Sequence, residues 1–187
     1  MHFAEGMSRV FINAIVALKS GGPLAFTFHH NQLSAYAPIA LAILDAGVPC
    51  TAVFPCPAEM SGSIHISNTN SSIIDTVFVC RKDAAIPTVV PSDLKDALQA
   101  DVNHLKLAKY QITEGDLKCI FYGHLTRMSI NILLSKWDRS LEISERLGKV
   151  NEALATYSEL GSLLKLLDRV PLEENREIEP DLFEEVR

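Results

Sequence analysis

The chain has 187 residues and a mass of 20.6 kDa, with 48% hydrophobic and 21% charged residues. A chain of this length and composition buries a hydrophobic core, which excludes a wholly disordered protein. Its 17 basic and 23 acidic residues give a net charge of −6. This balance argues against a protein that coats nucleic acid through bulk positive charge.

The cysteine pattern and the hydropathy predict a cytoplasmic protein without a metal. The sequence shows no Cys-x-x-Cys pair and no histidine at metal-ligand spacing from Cys50, Cys56, Cys80 or Cys119. We therefore interpret the four cysteines as reduced core thiols. No run of about 18 apolar residues occurs, so we expect no contact with a membrane.

The chain begins with a predicted helix and a buried strand. Apolar residues recur at steps of three and four over residues 3–19, which predicts an amphipathic helix. Gly21 and Gly22 end this helix. The apolar run 24–28 then predicts a strand that ends where the polar residues 29–32 begin.

A second helix and two more strands complete the first half. Ser34 is the expected N-cap of the helix and Gly47 its end. Residues 50–54 predict the next strand, and strand, helix, strand indicates a βαβ unit with parallel pairing. A long polar segment separates this strand from a third one at residues 76–80.

The second half is predicted to be helical. Ser92 is the expected cap of one helix, and Thr113 with Asp116 is the expected start of another. The last helix is expected from about Lys149 to Leu167. We interpret Asp116 as a helix-start residue, in preference to a catalytic acid.

Composition divides the chain into three parts. An α/β part covers residues 1–85 and a helical subdomain covers residues 86–170. The tail, residues 171–187, holds seven acidic and two basic residues. A solvated tail is the ordinary interpretation, and an acidic arm that binds a partner is the sharper one.

Several phrases resemble the C-terminal part of adenine-specific, S-adenosylmethionine-dependent DNA methylases of bacteria and archaea. The most specific is Phe-Thr-Phe-His-His at residues 26–30, followed by Glu-Met-x-Gly-Ser at residues 59–63. The resemblance continues more faintly to about residue 155. The other phrases lie at residues 9–11, 18–25, 46–48 and 77–82, with weaker ones at 112–117 and 122–125.

The resemblance implies a partial Rossmann-like methyltransferase sheet followed by a helical subdomain. The three strands would be the fifth, sixth and reversed seventh strands of such an enzyme. The strand at residues 76–80 would then lie antiparallel between the other two. The implied reaction is direct methylation of an exocyclic amine, with adenine the expected base and no cysteine nucleophile.

The departures from this family predict a chain that is inactive alone. No Gly-rich turn opens a helix, and Pro55-Cys56-Pro57 lacks the acid of an Asp-Pro-Pro-Tyr-type turn. The strand at residues 24–28 is apolar on both faces, yet its expected fourth-strand neighbour is missing from the chain. We therefore expect a truncated frame or a split subunit that binds S-adenosylmethionine only with a complementary N-terminal chain or a homologous one.

The candidate substrate-binding residues follow the first two strands, and no catalytic residue is assigned. His29 and His30 are placed to contact the donor or the base, or else they satisfy local backbone. A second group lies in the loop that shapes the base pocket in the resembled enzymes, where an ordinary polar loop is equally expected. That group is Glu59, Met60, Ser61 and Ser63.

Weaker interpretations concern phosphate contacts and other protein classes. Residues 68–72 offer neutral donors to phosphates, or form a solvated loop. The basic residues Arg81, Lys82, Lys106 and Lys109 are interpreted as serving solubility.

A non-catalytic assembly module that docks through its helical half and tail is the alternative function, and DNA and RNA both stay open as substrates. A nicotinamide-dependent oxidoreductase is disfavoured, since no Gly-x-Gly-x-x-Gly turn occurs.

Overall fold

The computed structural model describes residues 2–57, 74–88 and 91–158. Within them the protein is an α/β structure with one three-stranded sheet. The strands are β1 (Pro23–Phe28), β2 (Cys50–Pro57) and β3 (Ile74–Arg81). The helices are α1 (His2–Ala17), α2 (Tyr36–Ala46), α3 (Pro91–Leu107), α4 (Glu114–Leu134) and α5 (Ile143–Ser158).

The third strand lies between the other two. The strand order is β1-β3-β2, and β3 is antiparallel to both neighbours. The expected reversal of the last strand is therefore confirmed. The parallel pairing expected within the βαβ unit is wrong, because β3 separates β1 from β2 although those two strands run in the same direction. Local periodicity contains no information about which strands become neighbours.

The two faces of the sheet differ in burial. One face, here called the covered face, contains the alternate β3 residues Ile74, Thr76, Phe78 and Cys80, all buried. The rings of Phe26 and Phe78 stack there at 5.4 Å, and Phe11 of α1 meets Phe26 at 5.0 Å. The opposite face, here called the open face, contains exposed or half-buried side chains. These are Ala25, Thr27, Phe54, Val77 and Val79.

Helix α2 is almost entirely buried among α1, α4 and α5, and its first residue, Tyr36, contacts Phe28 and Phe78 of the sheet. It begins at Tyr36, after a short 3-10 turn over Leu33–Ala35, and its N-cap is Ala35. The prediction that Ser34 caps this helix is wrong, because the 3-10 turn supplies the first backbone bonds instead. Gly47 ends the helix as predicted, with a left-handed φ of 71°.

Helix α4 begins at the predicted place. Thr113 accepts a hydrogen bond from the backbone N–H of Asp116, whose side chain accepts one from the backbone N–H of Thr113, forming a complete capping box. The helix packs on β2 and β3 at Gly123, where an added Cβ would lie 2.5 Å from Cγ2 of Thr76. Gly123 therefore permits the close approach of helix and sheet.

The other two helices start earlier than predicted. Helix α3 begins at Pro91, one residue before the proposed cap Ser92. Helix α5 begins at Ile143, six residues before Lys149, because Glu145 accepts a hydrogen bond from the backbone N–H of Glu142 at the helix start. The expected end of α5 at Leu167 and the whole acidic tail lie outside the described residues.

A buried carboxylate joins α2 to the second half of the chain. Asp45 is 2% exposed and forms an ion pair with Arg146 of α5. The indole Nε1 of Trp137 donates to Asp45 Oδ1 at 3.0 Å, and Arg139 donates to the Asp45 carbonyl at 2.8 Å. Residues of both halves also share one hydrophobic core. The domain boundaries at residues 85 and 170 stay predictions.

The cysteines are free thiols in two different settings. Cys50 and Cys80 face each other across β2 and β3, and both are fully buried. The hydrogen bond with Cys50, together with burial, raises the pKa of Cys80. Cys119 is also buried, so three core thiols are confirmed. The interpretation is wrong for Cys56, which is exposed at the end of β2.

Candidate functional site

The candidate site lies where β1 and β2 end and β3 begins, here called the carboxyl edge. His29 and His30 directly follow β1 and therefore lie at this edge. The other four candidate residues, Glu59, Met60, Ser61 and Ser63, follow β2 and lie outside the described residues. The prediction that they accompany the histidines stays a prediction.

His29 is oriented by the first residues of β3. Its ring Nδ1 lies 2.8 Å from the carbonyl oxygen of Ile74 and 3.7 Å from Oδ1 of Asp75. Because a carbonyl oxygen only accepts hydrogen bonds, Nδ1 carries the proton and donates it to Ile74. The neutral ring then has its lone pair on Nε2, and the side chain is 37% exposed. His29 therefore presents a nitrogen base to its surroundings.

His30 has the opposite tautomer. The backbone N–H of Gln32 donates to Nδ1 of His30 at 3.0 Å, so Nδ1 is the acceptor and the neutral ring carries its proton on Nε2. The carbonyl of His30 accepts from the hydroxyl of Tyr36 at 3.1 Å and from the thiol of Cys119 at 3.4 Å. The expectation that a histidine here satisfies local backbone is met by His30.

A buried tyrosine hydroxyl holds the backbone of the carboxyl edge by a hydrogen bond. Tyr36 is fully buried between Phe28 and Tyr122, and burial is the main reason that its pKa is raised above the usual value. The phenol therefore stays neutral and donates to His30. Thr76 donates to the carbonyl of Cys119 at 3.2 Å, which joins β3 to α4 beneath the edge.

Asp75 is the residue at this edge that sequence reasoning missed. Phe28 with Thr76 is the last pair of β1 with β3, and just beyond it Nδ1 of His29 lies 3.7 Å from Oδ1 of Asp75. Cys56 pairs with Asp75 on the other side. The three side chains form a row across the open face. The antiparallel order implied by the family resemblance was the signal that places Asp75 beside His29. Periodicity alone assigned Asp75 to the end of a loop.

Two further polar groups, Lys82 and the pair of His124 with Asp101, lie away from the carboxyl edge. Lys82 donates to the carbonyls of Leu18 and Val16 at 2.7 Å and 3.3 Å, so it caps α1 at the opposite edge. His124 pairs with Asp101 at 2.6 Å between α3 and α4. Across residues 2–57, 74–88 and 91–158 no cluster of three or more metal-ligating side chains is found.

The residues present do not form a site for S-adenosylmethionine. Gly21 has a φ of 71°, and its N–H donates to the Lys82 carbonyl at 3.1 Å. A Cβ on Gly22 would lie 2.8 Å from the Lys19 carbonyl. Both glycines thus serve a tight turn at the edge opposite the histidines, where nothing opens a helix N-terminus toward a ligand. The part of the chain that is described therefore offers no cradle for the methyl donor.

The free edges of β1 and β2 differ. Pro55 and Pro57 deprive β2 of two backbone donors, as is typical of a strand at the end of a sheet. The side-chain amide of Asn131 accepts from the N–H of Cys50 at 3.1 Å and donates to its carbonyl at 2.9 Å, so it occupies both backbone groups of the first residue of β2.

Strand β1 has a proline only at its first residue, Pro23, and pairs with β3 alone among the described strands. It contains no charged side chain that would discourage a further strand. A further strand can therefore pair with the outer side of β1, whereas the outer side of β2 is blocked.

The helices of the described ranges include none that is long and apolar enough to span a membrane. Comparison with protein-family models, curated proteins and solved structures gives no match to this chain.

Proposed function

We propose that this chain is the C-terminal fragment or split subunit of an S-adenosylmethionine-dependent DNA methyltransferase that acts on an exocyclic amine, with adenine the expected target. A complementary N-terminal chain adds a strand beside β1 and supplies the donor-binding and catalytic turns. The observation that carries the proposal is that the outer side of β2 is blocked, whereas the outer side of β1 can pair with a further strand. A sheet closed at β2 and extendable past β1 fits one flank of a larger sheet.

Two further features support this assignment. The reversed β3 between two strands of common direction agrees with the strand order that the family resemblance implies. The open face has exposed apolar side chains, among them Phe54 at 44% exposure, and a second layer would remove them from water. Within the described residues no cradle for the methyl donor is found, because Gly21 and Gly22 form a turn at the end of β1 opposite the histidines.

That the described residues offer no donor cradle also favours a second candidate function. A non-catalytic assembly module would use the same edge of β1 to bind its partner and would need no methyl donor. Both functions predict a complex with a second chain. They differ in whether that complex transfers a methyl group.

Reconstitution tests the proposal. The chain is mixed with a methyltransferase N-terminal half that carries the Gly-rich and Asp-Pro-Pro-Tyr-type turns, and tritium transfer from labelled S-adenosylmethionine to DNA is measured. We expect a complex and methylated DNA from the mixture, and no methylation from the chain alone. A complex without methylation would favour the assembly module, and the absence of both would contradict the proposal.

A matched pair of variants tests the edge. Ala25→Lys places a charge on exposed β1, whereas Asn151→Lys places the same charge on an exposed position of α5. A charged side chain on an edge strand discourages strand addition. We expect the Ala25 variant to lower complex formation at least tenfold and the Asn151 variant to behave as the unchanged chain.

A further inference from the structure

We infer that a cavity at the end of the sheet opposite the carboxyl edge binds a small monocarboxylate with an apolar body, and that Arg139 holds its carboxylate. The inference is independent of the proposed function. The cavity lies where α2 ends and β2 begins, beside the segment that follows β3 and the connection between α4 and α5. Its volume is about 310 Å³, at the lower end of the range of small-molecule sites.

The wall of this cavity is mainly apolar and partly uncovered. Its apolar side chains include Leu44, Pro49, Ile86 and Leu134. Ile86 is 41% exposed although it is a large apolar residue. Removal of such a side chain from water is favourable, so the apolar body of a ligand gains binding free energy at this wall.

Trp137 also lines the cavity. Its Nε1–H is already donated to Asp45 at 3.0 Å, which holds the indole in one place. The polar atom of the ring is therefore satisfied inside the protein. What Trp137 offers a ligand is apolar and aromatic surface.

Arg139 is the charged residue among those that line the cavity. Its Nη1 donates to the Asp45 carbonyl at 2.8 Å, which holds the guanidinium at the end of α2. A guanidinium has five N–H donors, so further donors remain after this contact. Its planar fork matches the two oxygens of a carboxylate.

The charge of Arg139 is not balanced within the part of the chain that the structure describes. The Asp45 carboxylate already pairs with Arg146, and Arg139 contacts only the Asp45 carbonyl. The neighbouring Asp138 accepts instead from the N–H and the hydroxyl of Ser140. No described carboxylate forms an ion pair with Arg139. A carboxylate on the ligand therefore complements the charge of the cavity.

Trp137 reports on occupancy directly, because it is the single tryptophan of the chain and lines the cavity. Phenylacetate is titrated into the full chain while tryptophan fluorescence is recorded, and isothermal titration calorimetry measures the same binding. Phenylacetamide has the same ring without the charge, and acetate has the charge without the ring. We expect saturable binding of phenylacetate and about tenfold weaker binding of both analogues, since a charge-assisted hydrogen bond is stronger than a neutral one and the ring adds apolar contact.

Two substitutions test the two parts of the site. Arg139→Gln removes the charge and should weaken phenylacetate binding about tenfold. Ile86→Glu leaves Arg139 in place but adds a like charge to the wall, and should weaken binding as strongly. Val10→Glu is the matched control, because Val10 is an exposed apolar residue of α1 outside the cavity. That variant should bind as the unchanged chain does.

The opposite results are equally clear. Absence of saturable binding in both measurements, or equal affinity for phenylacetate and phenylacetamide, would overturn the inference. Acetate that binds as tightly as phenylacetate would show that Arg139 attracts anions without the cavity, which contradicts the ligand class. If Arg139→Gln does not fold, Ile86→Glu decides: unchanged binding in that variant, or an equal loss in Val10→Glu, would overturn the site.

Discussion

At the scale of single residues, Gly123 sets how closely α4 approaches the sheet. An added Cβ would lie 2.5 Å from Cγ2 of Thr76 and 3.1 Å from Cγ1 of Val53. Gly123→Ala should therefore lower the free energy of unfolding by about 1–3 kcal/mol, the usual cost of overpacking a core. Urea denaturation followed by circular dichroism measures this change.

The control for this prediction is Gly148→Ala. Gly148 lies in α5 with no heavy atom within 4 Å of an added Cβ. Alanine in a helix interior is favoured over glycine by up to about 1 kcal/mol. This variant should be as stable as the unchanged protein or slightly more stable. Equal destabilisation by both substitutions would mean that α4 does not pack on the sheet through Gly123.

Asp45 is a second residue on which stability depends. Its carboxylate is 2% exposed and pairs with Arg146 and with the indole N–H of Trp137. Asp45→Ala leaves a half-buried guanidinium without its partner, which costs about 3–5 kcal/mol for a buried pair. The fluorescence of Trp137, the single tryptophan, follows the unfolding transition.

An exposed ion pair provides the comparison for Asp45. Glu5 and Arg9 lie on one face of α1 at 2.7 Å, and both are largely open to water. Pairs of this kind contribute about 0–1 kcal/mol. Glu5→Ala should therefore change the unfolding midpoint little. A loss as large as that of Asp45→Ala would show that burial is not what makes the Asp45 contact important.

At the scale of elements, the start of α4 depends on its capping box. Thr113→Ala removes the oxygen that accepts from the Asp116 N–H at 3.1 Å, and such a loss costs about 1 kcal/mol. Ser34→Ala is the matched control, because Ser34 is exposed and does not cap α2. Denaturation midpoints should fall for the first variant and stay unchanged for the second.

Thr113 and Ser34 show which helix starts can be predicted from the sequence and which cannot. The capping box of Thr113 and Asp116 is a local pattern within four residues, so α4 could be predicted to start there. Ser34 has the same residue preference, but it lies inside the 3-10 turn before Tyr36, and α2 has no side-chain cap. The partners of β3 are residues at least 17 positions away along the chain, and only the family resemblance suggested them.

The candidate site was predictable in part for the same reason. The end of an apolar run located His29 and His30 at a sheet edge. Their opposite tautomers depend on Ile74 and Gln32, and the first of these contacts joins residues 45 positions apart. The spacing of apolar residues along the chain carries no information on a contact between residues so far apart. The contact of His29 with Asp75, at 3.7 Å, likewise depends on the antiparallel pairing of β1 with β3.

At the scale of the whole molecule, the sheet should show a gradient of backbone protection. Strand β3 has neighbours on both sides, whereas β1 has one. Amide hydrogen exchange should therefore be slowest in β3 and faster in β1, because protection follows the loss of hydrogen bonds on local opening. Exchange measured by mass spectrometry on peptic fragments resolves the two strands.

Addition of the complementary N-terminal half extends this prediction. A new strand beside β1 should slow exchange in β1 and leave β2 unchanged, since Asn131 and the two prolines already close that side. Slower exchange in β2 with no effect on β1 would mean that the partner binds beside β2, which would contradict the proposal. The chain mixed with an unrelated protein of similar size serves as the control.

The two facing thiols of Cys50 and Cys80 also constrain alternative pairings of the sheet. The register of β2 with β3 has one extra residue, Thr51, between the pair Cys50–Cys80 and the pair Ala52–Val79. A slip that moved this irregularity along the strand would separate the two buried thiols. Thr51 would lose the Val79 carbonyl to which it now donates at 3.1 Å. A shifted pairing of β2 with β3 is therefore disfavoured twice at one position.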